Sequence, residues 1–142
     1  MISSLFLSFS PSVTEEAAPA AVELEEEGVG PGILTTEKFI VDVPEGWKVI
    51  DKKEAGYIRM RPSDNGFASF NVDEKEGDIA EATSSFKQAG EKKFGDKTYT
   101  IYEWGDYGVA LLKLSDTNFV QIMYKEIDDT LLEKVITSIK FK

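Results

Sequence analysis

Two neighbouring segments near the C-terminus carry apolar side chains on both sides of what reads as a β-strand. In residues 107–116 (YGVALLKLSD), Val109 and Leu111 point one way, whereas Ala110 and Leu112 point the other. Residues 118–126 (NFVQIMYKE) show the same two-sided pattern. Strands that are apolar on both faces are buried on both faces. The sequence therefore predicts a sheet whose centre is covered from two sides.

Seven segments of the chain have the short apolar patterns of β-strands, and turn-forming residues separate most of them. They span residues 36–43, 47–50, 57–62, 67–74, 97–104, 107–116 and 118–126. The first strand ends at a Pro44-Glu45-Gly46 turn, and an Asn65-Gly66 hairpin signal precedes the fourth. Because the connections within each group of strands are short, we expect antiparallel hairpins.

Two segments show the apolar spacing of helices. Between Asp78 and Phe94 a narrow stripe recurs with helical period, Asp78 can cap the first turn, and Gly95 can end the helix. The C-terminal segment carries a wider stripe, formed by Leu131, Leu132, Val135, Ile136 and Ile139. Its Thr130–Glu133 stretch fits a capping box. The expected fold class is α+β, with a mainly antiparallel sheet of six to seven strands sandwiched by helices.

The net charge of −10 is unevenly distributed along the chain. Residues 1–32 contain six Glu and no Lys or Arg. We predict that residues 1–34 form a low-complexity acidic leader, disordered or loosely docked, and that residues 35–142 form a single domain. Alternatively, the apolar run at residues 1–9, which is too short to span a bilayer, is the remnant of a signal or anchor. Only that alternative predicts a location, outside the cytoplasm or at a membrane.

The chain contains no Cys and no His. Their absence excludes a Cys nucleophile, a Ser-His-Asp triad, disulfides and any ordinary zinc or copper site. The sequence also lacks a phosphate-cradling glycine motif and the basic stripe of nucleic-acid-binding proteins. The acids of residues 73–78 lack the EF-hand spacing and are interpreted as a solvated turn. We therefore predict a protein that is not an enzyme, holds no metal or cofactor, and binds no nucleic acid.

Two pairs of residues are candidate ligand- or partner-binding positions. Arg59 and Arg61 share one face of a strand, where two planar guanidinium groups could bind a carboxylate or phosphate. The alternative is a solvated face whose arginines pair with nearby acids. Trp104 and Tyr107 flank a tight turn, where aromatic side chains could anchor a partner. The alternative is that Trp104 packs over the sheet edge.

The two ends of the patterned region resemble those of PsbP-like domains. The resemblance rests on FIVDVPEGW followed by KVI at residues 39–50 and on LLEKVITSIKFK at residues 131–142, and it covers residues 36–142. It implies an α/β/α sandwich. Members include a lumenal subunit of the photosynthetic oxygen-evolving complex and a nuclear-import factor that binds a small GTPase. The manganese and calcium role of the photosynthetic members depends partly on His, so it cannot be transferred to this chain.

The resemblance and the missing catalytic residues together imply a non-catalytic protein-binding or assembly module. Two alternatives remain open. One is a small-ligand carrier with a pocket between sheet and helix. The other is an enzyme that uses carboxylate, Lys or Tyr side chains alone.

Overall fold

The computed structural model describes residues 22–142, which form ten strands and two helices. The strands are β1 (Gly32–Thr35), β2 (Phe39–Val43), β3 (Trp47–Lys53), β4 (Tyr57–Pro62), β5 (Ser69–Glu76), β6 (Lys87–Phe94), β7 (Lys97–Trp104), β8 (Tyr107–Lys113), β9 (Asn118–Lys125) and β10 (Lys140–Phe141). The helices are α1 (Ile79–Ala82) and α2 (Asp129–Ser138). Neither helix is long and apolar enough to cross a membrane.

Seven strands form one large antiparallel sheet in the order β3-β4-β5-β9-β8-β7-β6. Short turns join most sequence neighbours, whereas the pairing of β5 with β9 joins the two halves of the sheet. The predicted antiparallel sheet of six to seven strands is confirmed, with seven strands. Its membership differs from the prediction, because the strand predicted at residues 36–43 lies in a second sheet and β6 was expected to be helical.

The second sheet is small, with the order β1-β2-β10, and it lies with α2 over one face of the large sheet. Phe39, Val41 and Val43 of β2 are buried against large-sheet residues such as Phe70. The predicted C-terminal helix is confirmed, and it adds Leu132, Val135, Ile136 and Ile139 to the same core. We call the large-sheet face that this layer covers the first face.

Asp128, and not the predicted Thr130–Glu133 capping box, begins the C-terminal helix. The Asp128 carboxylate accepts hydrogen bonds from the backbone N–H groups of Thr130 and Leu131, at 3.1 and 3.3 Å. An aspartate cap also places negative charge at the positive end of the helix. At the other end, the Ser138 hydroxyl accepts from the Asp42 N–H at 3.0 Å and so ties α2 to β2.

The predicted helix at residues 78–94 is wrong. Only its first turn forms, as α1, where the Asp78 side chain accepts from the Ala80 N–H at 3.0 Å. After a Thr-Ser-Ser run the chain extends as β6, and Gly90 adopts a φ of 127° that no α-helix allows. Gly95, expected to end a helix, instead forms the tight turn between β6 and β7 with a φ of 66°. Pairing with β7 overrides a helical stripe that was too narrow to bury much apolar surface.

The predicted α/β/α sandwich is therefore wrong as well. The fold is mainly β, because the layer on the first face is a small sheet with one helix. Among residues 22–142, the segment that covers part of the opposite, second face is the short stretch 77–86. On that part, Phe86 packs near Tyr102, with ring centroids 6.1 Å apart. Val109 and Phe119 are buried on the second face, as their two-sided strand patterns require.

Residues 22–34 pack against the rest of the fold. Leu24 is buried in the core, and β1 pairs with β2. The Gly30 N–H donates to the Trp47 carbonyl at 2.8 Å, and the Val49 N–H donates to the Gly28 carbonyl at 2.8 Å. These ordered contacts begin before residue 35, where the predicted domain starts. Residues 1–21 of the predicted leader lie outside the described residues.

Gly90→Ala distinguishes the strand from the predicted helix, because the two structures imply opposite changes in the free energy of unfolding. No atom lies within 4 Å of a Cβ built at Gly90, so backbone strain at φ 127° is the dominant effect. We expect the variant to lose about 1–3 kcal/mol of unfolding free energy, measured by urea denaturation. In a helix interior the same change would add about 1 kcal/mol, so a stabilised variant would contradict β6.

Candidate functional site

The register of the large sheet places five functional side chains in one line across the strands. Ser69 pairs with Lys125, and Tyr107 pairs with Trp104. Met60 pairs with Phe70, and Gly108 with Tyr124, so the ladder brings Arg61 beside Ser69 and Tyr107 beside Lys125. We call this line, with Arg61, Ser69, Lys125, Tyr107 and Trp104 in spatial order, the cross-strand row.

All five side chains belong to the second face. Side chains alternate along a strand, and the neighbours Met60, Phe70 and Tyr124 pack into or against the core on the first face. Arg59 lies on the second face as well, two residues from Arg61. The structure thus brings the two predicted pairs, Arg59 with Arg61 and Trp104 with Tyr107, onto the same surface. Adjacent strands are about 4.8 Å apart, which puts Arg61 and Trp104 about 19 Å apart at the backbone.

The two arginines are part-buried and form no ion pair within residues 22–142. Asp51 is the cross-strand neighbour of Arg59, yet no Asp51 oxygen comes within salt-bridge distance of it. Arg61 makes one hydrogen bond, from Nη2 to the Gly66 carbonyl at 3.1 Å. This bond holds the Arg61 side chain against the loop that joins β4 to β5. Both guanidinium groups keep most of their donors for another molecule.

Four buried side-chain atoms have no hydrogen-bond partner within the described residues. They are Arg59 Nε, Arg61 Nε, Ser69 Oγ and Gln121 Oε1. All four lie on the second face, and Ser69 and Gln121 are each only 6% exposed. Buried polar groups in proteins are nearly always hydrogen-bonded, since an unsatisfied one costs about 1–3 kcal/mol. Their concentration on one face makes that face the candidate site.

Aromatic side chains form a cluster at the far end of the cross-strand row. The Trp104 ring lies 6.0 Å from that of Tyr107 and 6.1 Å from that of Phe86. The Lys125 amine lies 5.6 Å from the Tyr107 ring centroid, within cation–π range. Trp104 packs against these neighbours and is still 47% exposed. One side of the Trp104 ring therefore packs against its neighbours, as one of the two predicted alternatives has it, and its role as a partner anchor stays a prediction.

A second exposed aromatic residue lies near the Arg61 end of the cross-strand row. Phe67 is 80% exposed and belongs to the β4–β5 loop, next to the Gly66 carbonyl that Arg61 binds. This loop and the β7–β8 turn project from the same end of the large sheet. Two and a half strand spacings separate β5 from the midpoint of that turn, or about 12 Å. Two exposed aromatic side chains thus flank the cations Arg61 and Lys125.

Asp73 and Tyr57 form a cross-strand pair further along the second face. Partial burial raises the pKa of Asp73, against the opposing effects of Lys75 and Lys53. Burial is also the main cause that raises the pKa of Tyr57, which the nearby Arg59 lowers in part. A carboxyl group with a raised pKa is a feature of many acid–base sites. However, Asp73 does not line any of the depressions found on this surface.

Four depressions of about 130–540 Å³ were found on the described part of the protein. The smallest is lined by Asp78, Asp116 and residues near them, and one of about 400 Å³ lies beside Lys48 and Glu27. All four are open to solvent, and none lies inside the core between the large sheet and α2. Within residues 22–142, no cluster of three or more acidic side chains has the geometry to hold a metal ion.

Comparison with known proteins gives no family for this chain. No family model and no curated protein matches the sequence. Among solved structures, the chain is similar to a crystal structure from Bacteroides thetaiotaomicron, with 15% sequence identity and a TM-score of 0.49. The alignment covers 73% of this chain and 45% of that chain, so it spans less than half of the other protein. A similarity this distant carries no argument about function.

Sequence reasoning identified two pairs of the site residues and missed four others. Phe67 was assigned to a strand, although it lies in a loop and is almost fully exposed. Ser69, Lys125 and Gln121 carry no motif, and only the strand order places them beside the arginines and aromatics. Alternation along β5 and β9 could have shown that Ser69, Lys125 and Gln121 share a face. It could not have shown that they lie near Arg61 and Tyr107.

Asp73→Asn tests the electrostatics of the second face through the pH dependence of stability. The pKa of Asp73 is raised in the fold, so its carboxyl group favours the fold below its unfolded pKa and loses that contribution as the pH rises through the folded value. The neutral amide keeps the contribution and can donate to Gln121 Oε1, which lies across the strand pair. We expect a Tm higher by about 1–3 °C at pH 7, with the difference shrinking towards pH 3.

Asp106→Asn at the exposed β7–β8 turn is the matched control, because it removes the same charge without changing a partly buried site. A lower Tm for Asp73→Asn at pH 7 would show instead that the carboxylate serves Lys75 and Lys53 as an ion-pair partner.

Proposed function

We propose that this protein is a non-catalytic binding module that contacts another protein through one end and the second face of its large sheet. The observation that carries this proposal is the cross-strand row together with Phe67 beside its Arg61 end. The exposed rings of Phe67 and Trp104 lie on either side of the cations Arg61 and Lys125. Aromatic residues and Arg dominate the binding energy of protein interfaces. The row offers both kinds of side chain on one rigid strand scaffold.

Charge supports the choice of a protein partner with acidic residues. The chain as a whole carries a net charge of −10, which disfavours binding to polyanions such as nucleic acids. Arg61 has cationic neighbours in register, because Lys48 lies opposite it and Lys125 lies beyond Ser69. The acids nearby are Asp51 opposite Arg59, Asp64 in the β4–β5 loop and Glu27 beside Lys48. A partner segment with a few carboxylates between two apolar side chains would match both the charge and the spacing of the row.

The carrier and enzyme alternatives have less support. A carrier requires an enclosed pocket, whereas the four depressions are open, including the one of about 340 Å³ lined by β2 and Lys134 of α2. An enzyme could use Asp73 with Tyr57, but this pair lines none of the four depressions on residues 22–142. A relationship to the PsbP-like proteins stays a prediction, and the proposed binding function does not depend on it.

Replacing both exposed aromatics tests the proposal. We expect a protein that is captured by the immobilised wild-type chain to be lost with Phe67→Ala/Trp104→Ala, because each removed ring would cost about 2 kcal/mol or more of binding energy at a central interface position. Capture is measured by quantitative mass spectrometry from native extract, followed by titration with the purified partner.

Val22→Ala is the matched control, since Val22 is also an exposed apolar residue and it lies beside the small sheet. The proposal would be contradicted if the double aromatic variant still captured the same partner. It would also be contradicted if every captured protein bound this variant and Val22→Ala equally well.

A further inference from the structure

The second face carries a cluster of hydrogen-bond donors beside the aromatic cluster. Arg59 and Arg61 project from β4 two residues apart, about 6.8 Å along the strand. Ser69 projects beside Arg61 from the neighbouring strand. Each of the three has a buried polar side-chain atom with no hydrogen-bond partner among residues 22–142. Ser69 is almost completely buried, with 6% of its surface exposed. The cluster therefore combines forked cationic donors with a fixed hydroxyl.

We propose that Arg59, Arg61 and Ser69 bind a carboxylate group of an acidic protein segment. A guanidinium group presents N–H donors in a planar fork that matches the two oxygens of a carboxylate, and such charge-assisted bonds are about twice as strong as neutral ones. The Ser69 hydroxyl lies next to Arg61 in register and offers one more donor. One carboxylate can thereby bind two guanidinium groups that form no ion pair within residues 22–142.

The surroundings favour an anion at this position. The titratable groups that face the cluster are Lys48 and Asp51 from β3, Lys125 from β9, and Tyr57 and Asp73 further along the face. Lys48 donates to the Asn65 side chain at 3.1 Å and not to an acid. Asp51 opposes Arg59 in register, whereas Lys48 opposes Arg61 and Ser69 alone separates Arg61 from Lys125 in the row, so the register neighbours of Arg61 are cationic or neutral. The acidic segment would enter from the end of the sheet where Phe67 lies.

This inference deepens the proposed function by naming the chemistry of the partner, but the affinity of the site for a carboxylate can be measured without the partner. Arg59 and Arg61 are the only arginines in the chain, so their Nε–Hε groups give two NMR signals that report on this site alone. Single Arg59→Lys and Arg61→Lys variants assign them. The probes are a capped hexaglutamate peptide and, separately, inorganic phosphate.

We expect both Nε–Hε signals to shift on titration with hexaglutamate at about 0.15 M salt, where bulk charge attraction is screened beyond about 8 Å. Arg59→Lys/Arg61→Lys keeps the charge and removes the fork, so it should weaken hexaglutamate binding about tenfold or more. Ser69→Ala should weaken it severalfold by removing one donor. Lys92→Gln, a change of one charge on the exposed strand β6, should leave it within about twofold.

Backbone amide spectra identify any variant that fails to fold, and the single arginine variants then replace the double one. Unshifted Nε–Hε signals at saturating hexaglutamate would overturn the site. The site would also be overturned if the double lysine variant bound hexaglutamate as tightly as the wild type does, because charge alone would then explain the binding. Shifts with phosphate but not with hexaglutamate would replace the acidic segment by a phosphate ligand. If the aromatic variant lost the captured partner while the arginine signals stayed unshifted, the proposed binding function would be supported and the carboxylate site at Arg59, Arg61 and Ser69 would be contradicted.

Discussion

The pairing of β5 with β9 is the interaction on which the rest of the molecule depends. It runs for eight residue pairs, from Ser69 with Lys125 to Glu76 with Asn118, and it joins strands about 50 residues apart in sequence. On one side of this ladder lie β4 and β3, and on the other lie β8, β7 and β6. Without it the chain would consist of two separate sets of hairpins, each with one apolar face too small to stabilise itself.

The same ladder determines which side chains share the second face. A slip of one residue would turn every side chain of one half to the opposite face. The register observed buries Val72 and Ile122 in the core and leaves Ser69, Asn71 and Lys125 on the second face. Because β4 pairs in fixed register with β5, and β8 with β9, Arg61 and Tyr107 lie on the same line across the sheet. The proposed binding surface is therefore a consequence of core packing on the first face.

The layers that cover the large sheet explain why part of the second face stays polar. The first face receives β1, β2, β10 and α2, which together bury the largest side chains of the core, among them Phe39 and Phe70. On the second face, the segment 77–86 reaches only the strands β7–β9, where Val109 and Phe119 are buried. Over β3–β5 no helix or strand of residues 22–142 lies against that face. Its two part-buried arginines thus form no ion pair with the described residues.

Local patterns predicted the strands well and the layers poorly. Residues 57–62 and 97–104 were predicted with the bounds that β4 and β7 have, because alternation and turn residues are local signals. The segment ending in β6 was misread, since its apolar spacing fits a helix and only pairing with β7 shows it to be a strand. Alternation also placed Arg59 and Arg61 on a common face. Strand order is a long-range property, so the nearness of Arg61 to Lys125 and Trp104 could not be predicted.

The shared second face depends most directly on the β5–β9 register. A pair of introduced cysteines can measure that register. The chain has no Cys, so Asn71→Cys/Met123→Cys introduces the only thiols, at directly opposed positions of the second face. Opposed residues of antiparallel strands have Cα atoms about 4.5–5.5 Å apart, which suits a disulfide. Mild oxidation should give an intramolecular disulfide, detected by mass spectrometry after alkylation, whereas Asn71→Cys/Ile122→Cys should stay reduced because its side chains point to opposite faces. Crosslinking of the second pair and not the first would show a register slipped by one residue and would contradict the shared surface.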